Sequence, residues 1–247
     1  MPRRLPVACD WNSTVASHSW KRANGMSFTY VIPDIHGRDD LLSRALEEIS
    51  AHASGVAGII VTIGDYVDKG PQTRQVIERL LPGIGGGWRF VVLKGNHDAM
   101  MVEGLRDPVK FSFWLDRGGD TALASYGGDP AAVPHAHIAW LDQLRLTYVD
   151  AHRLYVHAGV DPEVPLERQS EKTLLWKRYP KDDASGFGER HVVHGHDNDP
   201  EGPLLHQGRT NLDTAAWKTG RLTVGVFDDD RPGGPVDFIL VEGVPSR

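Results

Sequence analysis

Five short strings carry most of the side chains that could do chemistry. They are Asp34-Ile35-His36-Gly37, Gly64-Asp65-Tyr66-Val67-Asp68-Lys69-Gly70, Gly95-Asn96-His97-Asp98, His157-Ala158-Gly159 and His194-Gly195-His196. Together they offer a donor set of Asp, His, Asp, Asn, His and His with no thiolate. Oxygen and imidazole donors suit Mn, Fe or Zn, whereas a closed structural zinc site more often uses Cys. Six donors are too many for one catalytic ion that must keep a position open. They suit two ions that share a bridging carboxylate, and two divalent ions against two Asp leave a positive pocket that attracts phosphate. Each string also has a plainer reading. Asp65 and Asp68 could be turn formers at a helix start, and His157 and His196 could be strand-end residues satisfied by backbone.

The placement of the strings on the chain favours the chemical reading. Phe28–Pro33, Ile59–Ile63 and Phe90–Leu93 are short apolar runs of buried-strand type. Between them, Leu41, Leu42, Ala45, Leu46 and Ile49, and then Val76, Ile77, Leu80 and Leu81, recur at helical spacing, with Asp39 and Asp40 where a helix N-cap belongs. This is β-α-β-α-β in units of about 30 residues, the pattern of right-handed parallel crossovers. Helical stretches then run to about Leu144. Leu146–Val149, Leu154–His157, His191–His194, Arg209–Leu212, Leu222–Phe227 and Val236–Val241 read as strands. The expected fold is therefore α/β, or mixed α+β: an α/β half joined to a strand-rich half, closing on each other as two packed sheets with helices outside. Every chemical string directly follows a strand, and in open α/β sheets ligands bind beyond the carboxyl ends of strands.

Composition narrows the function classes. The chain has 247 residues with 27 Lys+Arg against 33 Asp+Glu, a net charge of −6. That balance argues against a general nucleic-acid or anionic-membrane binder. One cysteine, Cys9, excludes an internal disulfide framework. No apolar run approaches the roughly 20 residues of a membrane helix, so a cytoplasmic location is expected. Residues 1–25 lack periodicity and read as a loose tail or a mis-assigned start ahead of Met26, with one catalytic domain over residues 26–247.

Taken in order, the five strings resemble the motifs of the calcineurin-like metallophosphoesterases, most of all the phosphoprotein-phosphatase branch in its bacterial serine/threonine form. Phe113–Tyr126 and Asn211-Leu212-Asp213-Thr214 share the likeness, which covers residues 28 to about 228. The resemblance implies a four-layer sandwich. It implies that Asp34 and His36 hold a first metal, that Asp65 bridges, and that Asn96, His157 and His196 hold a second. Mn²⁺ is the first expectation for both ions, with Fe or Zn as alternatives. It makes His97 the proton donor to the leaving oxygen, Asp68 its partner, and Lys69 and Arg178 the phosphate grips. A hydroxide bridging two metals would then attack phosphorus in line, with no covalent enzyme intermediate.

The sequence departs from that pattern in four places. Pro33 stands where Gly is usual before the first Asp, Lys69 where Arg is usual, and Asp98 where Glu is frequent. Asn198 replaces the last His of a Gly-His-x-His ending, which favours the protein-phosphatase-like branch over the broader phosphodiesterases. Lys is a point charge and cannot fork onto two phosphate oxygens as Arg does. The expected substrate is a phosphorylated protein or small phosphomonoester. A symmetrical dinucleoside tetraphosphate hydrolase shares the same motifs, and a catalytically dead phosphoprotein-binding module is a reading from another class. His194 is expected to pack and Trp176 to lie in the core; Arg38 and Arg74 could touch phosphate but read as surface arginines, and the six histidines His52, His135, His137, His152, His191 and His206 as solvated or capping.

Overall fold

The computed structural model describes residues 27–245; the segment 1–25 read above as a tail or mis-start lies outside them. Among the described residues, ten strands form two five-stranded sheets. In the first, β1 (Phe28–Ile32), β2 (Ile59–Thr62) and β3 (Arg89–Val92) run parallel, joined by α1 (Asp39–Ala53) and α2 (Thr73–Leu80). The chain then runs through α3 (Asn96–Arg106), α4 (Pro108–Trp114), a kink at Leu115–Gly119, α5 (Asp120–Ala124) and α6 (His135–Asp142). The second sheet has the order β4 (Thr147–Val149), β5 (Arg153–Val156), β6 (His191–His194), β8 (Arg209–Asn211), β7 (Leu204–Leu205). The short helix α7 (Glu171–Trp176) lies between β5 and β6, and α8 (Ala216–Thr219) follows β8.

The last two strands correct the picture of a separate strand-rich half. β9 (Arg221–Asp228) pairs antiparallel with β1, and β10 (Asp237–Glu242) with β9, so both belong to the first sheet. The chain therefore crosses between the sheets at Asp213–Gly220, which ties them together. Alternation along β1 shows the layering. Tyr30 and Ile32 join the core under α1 and α2 with Leu41, Leu42, Ile49 and Ile77. Val31 points the other way and packs with Val61, Ile63, Tyr155, Val193, Leu212 and Phe227 between the sheets. Each such side chain contributes roughly 1.5–3 kcal/mol by leaving water, and a one-residue slip would exchange the two faces. The outer layer on the second sheet is thin: Leu174 of α7 covers Leu154, Val156 and Val192.

Several local expectations change. Arg38, not an Asp, caps α1, and Asp39 and Asp40 occupy its first turn, where their charge favours the helix dipole. Arg38 is buried rather than a surface residue, bonded to Asp40 and to the carbonyls of Ala216 and Val244. His137 and His191 are buried too, facing Tyr126 Oη and Thr210 Oγ1. The sequence signal for these was weak, because each histidine lies in a short segment without a clear apolar face.

Candidate active site

The carboxyl ends of β1, β2, β3, β5 and β6 meet above the seam between the two sheets. Asp34 and His36 follow β1, Asp65 and Asp68 follow β2, Asn96 and His97 open α3 after β3, His157 follows β5 and His196 follows β6. The turns are tight. Among the described residues, seven non-glycine positions have positive φ, and His36, Asp65, Asp68, Lys69 and His196 are five of them. Left-handed backbone disfavours branched and bulky residues, so strain is concentrated at the strand ends that carry the strings. Gly37 and Gly70 let two of these turns touch through backbone: a Cβ on Gly37 would lie 2.5 Å from the Gly70 carbonyl oxygen.

The buried donors converge. His36 Nε2 lies 3.3 Å from Asp65 Oδ2, and His157 Nε2 lies 3.5 Å from Asp65 Oδ1. Asn96 Oδ1 sits 2.8 Å from His157 Nε2 and 3.1 Å from His196 Nδ1. Asp34 accepts the His196 backbone N–H on both oxygens at 3.2 Å. Asp65 thus stands between two groups of possible metal donors: His36 and His97 on one side, His157 and His196 on the other.

The hydrogen bonds behind these rings show that the donors fit cations. His36 Nδ1 faces the Val67 carbonyl at 2.8 Å and His157 Nδ1 the Ile63 carbonyl at 3.0 Å. A carbonyl only accepts, so both rings carry the proton on Nδ1 and turn a bare Nε2 inward. Burial keeps both rings neutral by lowering their pKa values. The His157 Nε2 lone pair then meets the oxygens of Asn96 and Asp65 with no proton between them. His196 Nε2 is buried with no hydrogen-bond partner among the described residues, and burial pushes its pKa down to about 3. Asp34 titrates well above the usual range because of burial first, then Asp213 and Asp65. Burial opposes charge on Asp65, and the Lys69 ammonium favours it. Converging lone pairs and buried carboxylates are what divalent ions would satisfy.

A second group stands beside this cluster. His97 Nδ1 is 2.7 Å from Asp68 Oδ2, and the Trp114 indole donates to Asp68 Oδ1 at 2.9 Å. Asp68 is wholly buried. Burial raises its pKa against the bonds from His97 and Trp114, so its two oxygens are fixed and His97 is fixed in turn. His97 keeps 8% exposure and opens onto a cleft of about 240 Å³.

The two expected phosphate grips are placed differently. Lys69 lines the cleft with Nζ 3.0 Å from His36 Nε2 and 5.3 Å over the Trp217 ring. Arg178 lies at the rim, highly exposed and paired with Asp197 at 2.9 Å. Trp176, expected in the core, is 41% exposed at the same rim, edge-on to His196. The six-residue helix α7 is too short to bury both of its faces, so Leu174 and Leu175 go inward and Trp176 outward. His194 is fully buried between the Gly195 carbonyl and Arg209, in a packing position.

Four residues at the site escape the sequence reading. Asp98 accepts the backbone N–H groups of Asp65, Tyr66 and Gly95 at 2.8–3.0 Å and locks two of the strand-end turns together. Its shorter side chain does here what the departure from Glu left open. Trp114 holds Asp68, with Gly119 making room: a Cβ there would lie 2.5 Å from the indole. Asp213 takes the Asn198 amide and the Ala215 N–H, and burial raises its pKa to about 6. Arg117 reaches the cleft from the kink between α4 and α5. The available signal was Gly118-Gly119 following Trp114, a pair that has no purpose in an ordinary helix.

Comparison with known proteins agrees with this geometry. The profile of the calcineurin-like phosphoesterase family matches residues 29–234. A symmetrical bis(5'-nucleosyl)-tetraphosphatase of Janthinobacterium sp. (strain Marseille) is 30% identical over 155 residues, 59% of this chain and 51% of that protein. Serine/threonine-protein phosphatase 1 of Salmonella typhimurium is 26% identical over 141 residues, 54% of this chain and 62% of that one. The matches thus span only about half to three-fifths of these relatives. In fold, a protein serine/threonine phosphatase from Saccharomyces cerevisiae aligns with TM-score 0.60 at 15% identity, over 90% of this chain and 81% of that one. A metallophosphoesterase from Sphaerobacter thermophilus aligns with TM-score 0.57 at 18% identity, over 88% of each chain. With the family profile spanning both sheets and all five strand-end strings, the chain belongs to the calcineurin-like phosphoesterase family.

Proposed function

We propose that this phosphoesterase is a metal-dependent phosphomonoesterase that acts on phosphoserine or phosphothreonine in proteins. The observation that carries the reading is the His97–Asp68 contact of 2.7 Å, opening on the same cleft as the metal-capable donors. A seryl or threonyl alkoxide is a poor leaving group and needs a proton as the P–O bond breaks. An imidazolium with one nitrogen held by a buried carboxylate and the other free supplies it, an effect typically worth about 10²–10⁴-fold. Asp68 stabilises the charged ring and fixes its orientation, and Trp114 fixes Asp68.

Asp34, His36, Asp65, Asn96, His157 and His196 would hold two divalent ions, Mn²⁺ first among the candidates, with Asp65 shared. Such ions supply Lewis acidity toward phosphate and water. The remaining work falls to this chain. The Asn96 side chain and the N-terminus of α3 face the developing negative charge. Lys69 adds a positive charge from the cleft floor. Asn198, tied to Asp213, supports the protein-phosphatase-like branch.

A second reading, symmetrical cleavage of a dinucleoside tetraphosphate, draws support from the relative in Janthinobacterium and from the half-exposed Trp176 indole, on which a base could stack. Its leaving group is a nucleoside diphosphate, a stable anion that depends far less on a proton donor. The test is a Mn²⁺-dependent panel of aryl phosphate, phosphoserine, phosphothreonine and phosphotyrosine peptides, and diadenosine tetraphosphate. The proposal expects the highest kcat/KM on a phosphoserine or phosphothreonine peptide. A preference for the tetraphosphate establishes the second reading, and binding of phosphopeptide without turnover establishes a non-catalytic module.

A further inference from the structure

Lys69 leaves the cleft without the forked donor that an arginine at its position would present, and Arg178, the other expected grip, is engaged by Asp197. One guanidinium at the cleft is free of such a partner. Arg117 lines it, and among the described residues no carboxylate lies within ion-pair distance of this side chain. We propose that Arg117 is a substrate-binding residue that forks onto the non-bridging phosphate oxygens and supplies the planar donor pair that Lys69 lacks. This inference rests on the phosphoesterase reading of the cleft and adds a residue to it.

The local structure explains how an exposed arginine can be held ready. Arg117 leaves helical geometry (φ −110°, ψ 17°) at the kink between α4 and α5, and Gly118 follows at φ +100°. The guanidinium carbon lies 3.5 Å over the Phe113 ring, and Nη1 donates to the Phe113 carbonyl at 3.2 Å. A planar cation stacked on an aromatic face is pre-organised, so less side-chain entropy is lost when it binds. One of its five N–H donors is used there, which leaves the rest for an oxyanion. The turn is also coupled to the other cation. The Gly118 carbonyl accepts the Lys69 backbone N–H at 3.1 Å, and a Cβ on Gly118 would lie 3.0 Å from Lys69 Cγ. The kink therefore positions Arg117 and braces Lys69 with the same two residues.

The test uses the full chain with Mn²⁺ and two readouts. These are kinetics on aryl phosphate and the dissociation constant of inorganic phosphate by calorimetry. Charge-assisted bonds of this kind set the expectation that Arg117→Ala raises KM and the phosphate Kd by about 10- to 100-fold. The rise in KM should exceed the fall in kcat. Arg117→Lys should recover only part of the loss, because it restores charge without the fork, and Arg178→Ala should weaken phosphate less than Arg117→Ala. KM and phosphate Kd within twofold of the parent in Arg117→Ala would overturn the inference, as would the reverse ranking of the two arginines. A parent protein that hydrolyses no phosphoester yet binds phosphate in an Arg117-dependent way would sink the functional reading and uphold this one.

Discussion

Replacing Trp114 by Phe isolates one bond in the proposed proton-donor relay. Trp114 is fully buried, and its indole N–H is 2.9 Å from Asp68 Oδ1. Phe keeps an aromatic ring in the slot between Gly104 and Gly119 but has no donor. A hydrogen bond to a charged group contributes about 1.5–3 kcal/mol, and the smaller ring leaves a cavity that adds to the loss. A destabilisation of about 2–4 kcal/mol follows, which lowers Tm by roughly 5–15 °C in a chain of this size. The functional effect is separable. Asp68 loses one of its two side-chain anchors, so His97 is held by a carboxylate that can turn. The proton matters for a poor leaving group and little for a nitrophenolate. The ratio of kcat on phosphoserine peptide to kcat on nitrophenyl phosphate should therefore fall about 10-fold or more. Because both rates come from one sample, the fraction folded cancels. An unchanged ratio with a lowered Tm would refute the relay and leave Trp114 as packing alone.

Asp98→Asn removes one carboxylate oxygen from a group that serves three backbone N–H groups; denaturant unfolding should show a loss of about 1–3 kcal/mol. A stability equal to the parent would mean that the turns after β2 and β3 do not depend on this bridge. His191 supplies a pH test: burial, then Arg153, lowers its pKa to about 4 from the ordinary 6.5. The folded state holds this ring neutral, so its contribution is complete above pH 6.5 and is lost as pH falls toward 4, by at most about 3 kcal/mol. Urea midpoints of the parent and His191→Gln should converge over that range as the solution is acidified, and a constant gap between them would contradict the assignment.

The parts of the molecule legible in its sequence are those fixed locally. Buried parallel strands announce themselves as apolar runs, and the strings at their ends fall where the crossover topology must bring them, so Asp34, Asp65, Asn96, His157 and His196 were placed together by order alone. Pairing across a long loop leaves no such mark. Nothing in Leu222–Phe227 says that β9 lies beside β1 rather than in the second sheet. Asp98 looked like a conservative exchange for Glu, because its three backbone partners exist only once two turns meet. Arg117 carries no mark of its own within a stretch of helical pattern, and only the turn at Gly118 brings it to the cleft. Trp176 was assigned to the core by its type, yet the inward positions of α7 were already filled by Leu174 and Leu175.

The account stands on donors from both sheets holding two cations with Asp65 shared between them. Metal-stripped protein titrated with Mn²⁺, with bound metal counted per chain and hydrolysis followed in parallel, tests this directly. Two ions per chain should bind with the return of activity, and Asp65→Asn should hold fewer and hydrolyse nothing. A single ion at full activity, or hydrolysis that survives complete removal of metal, would contradict it.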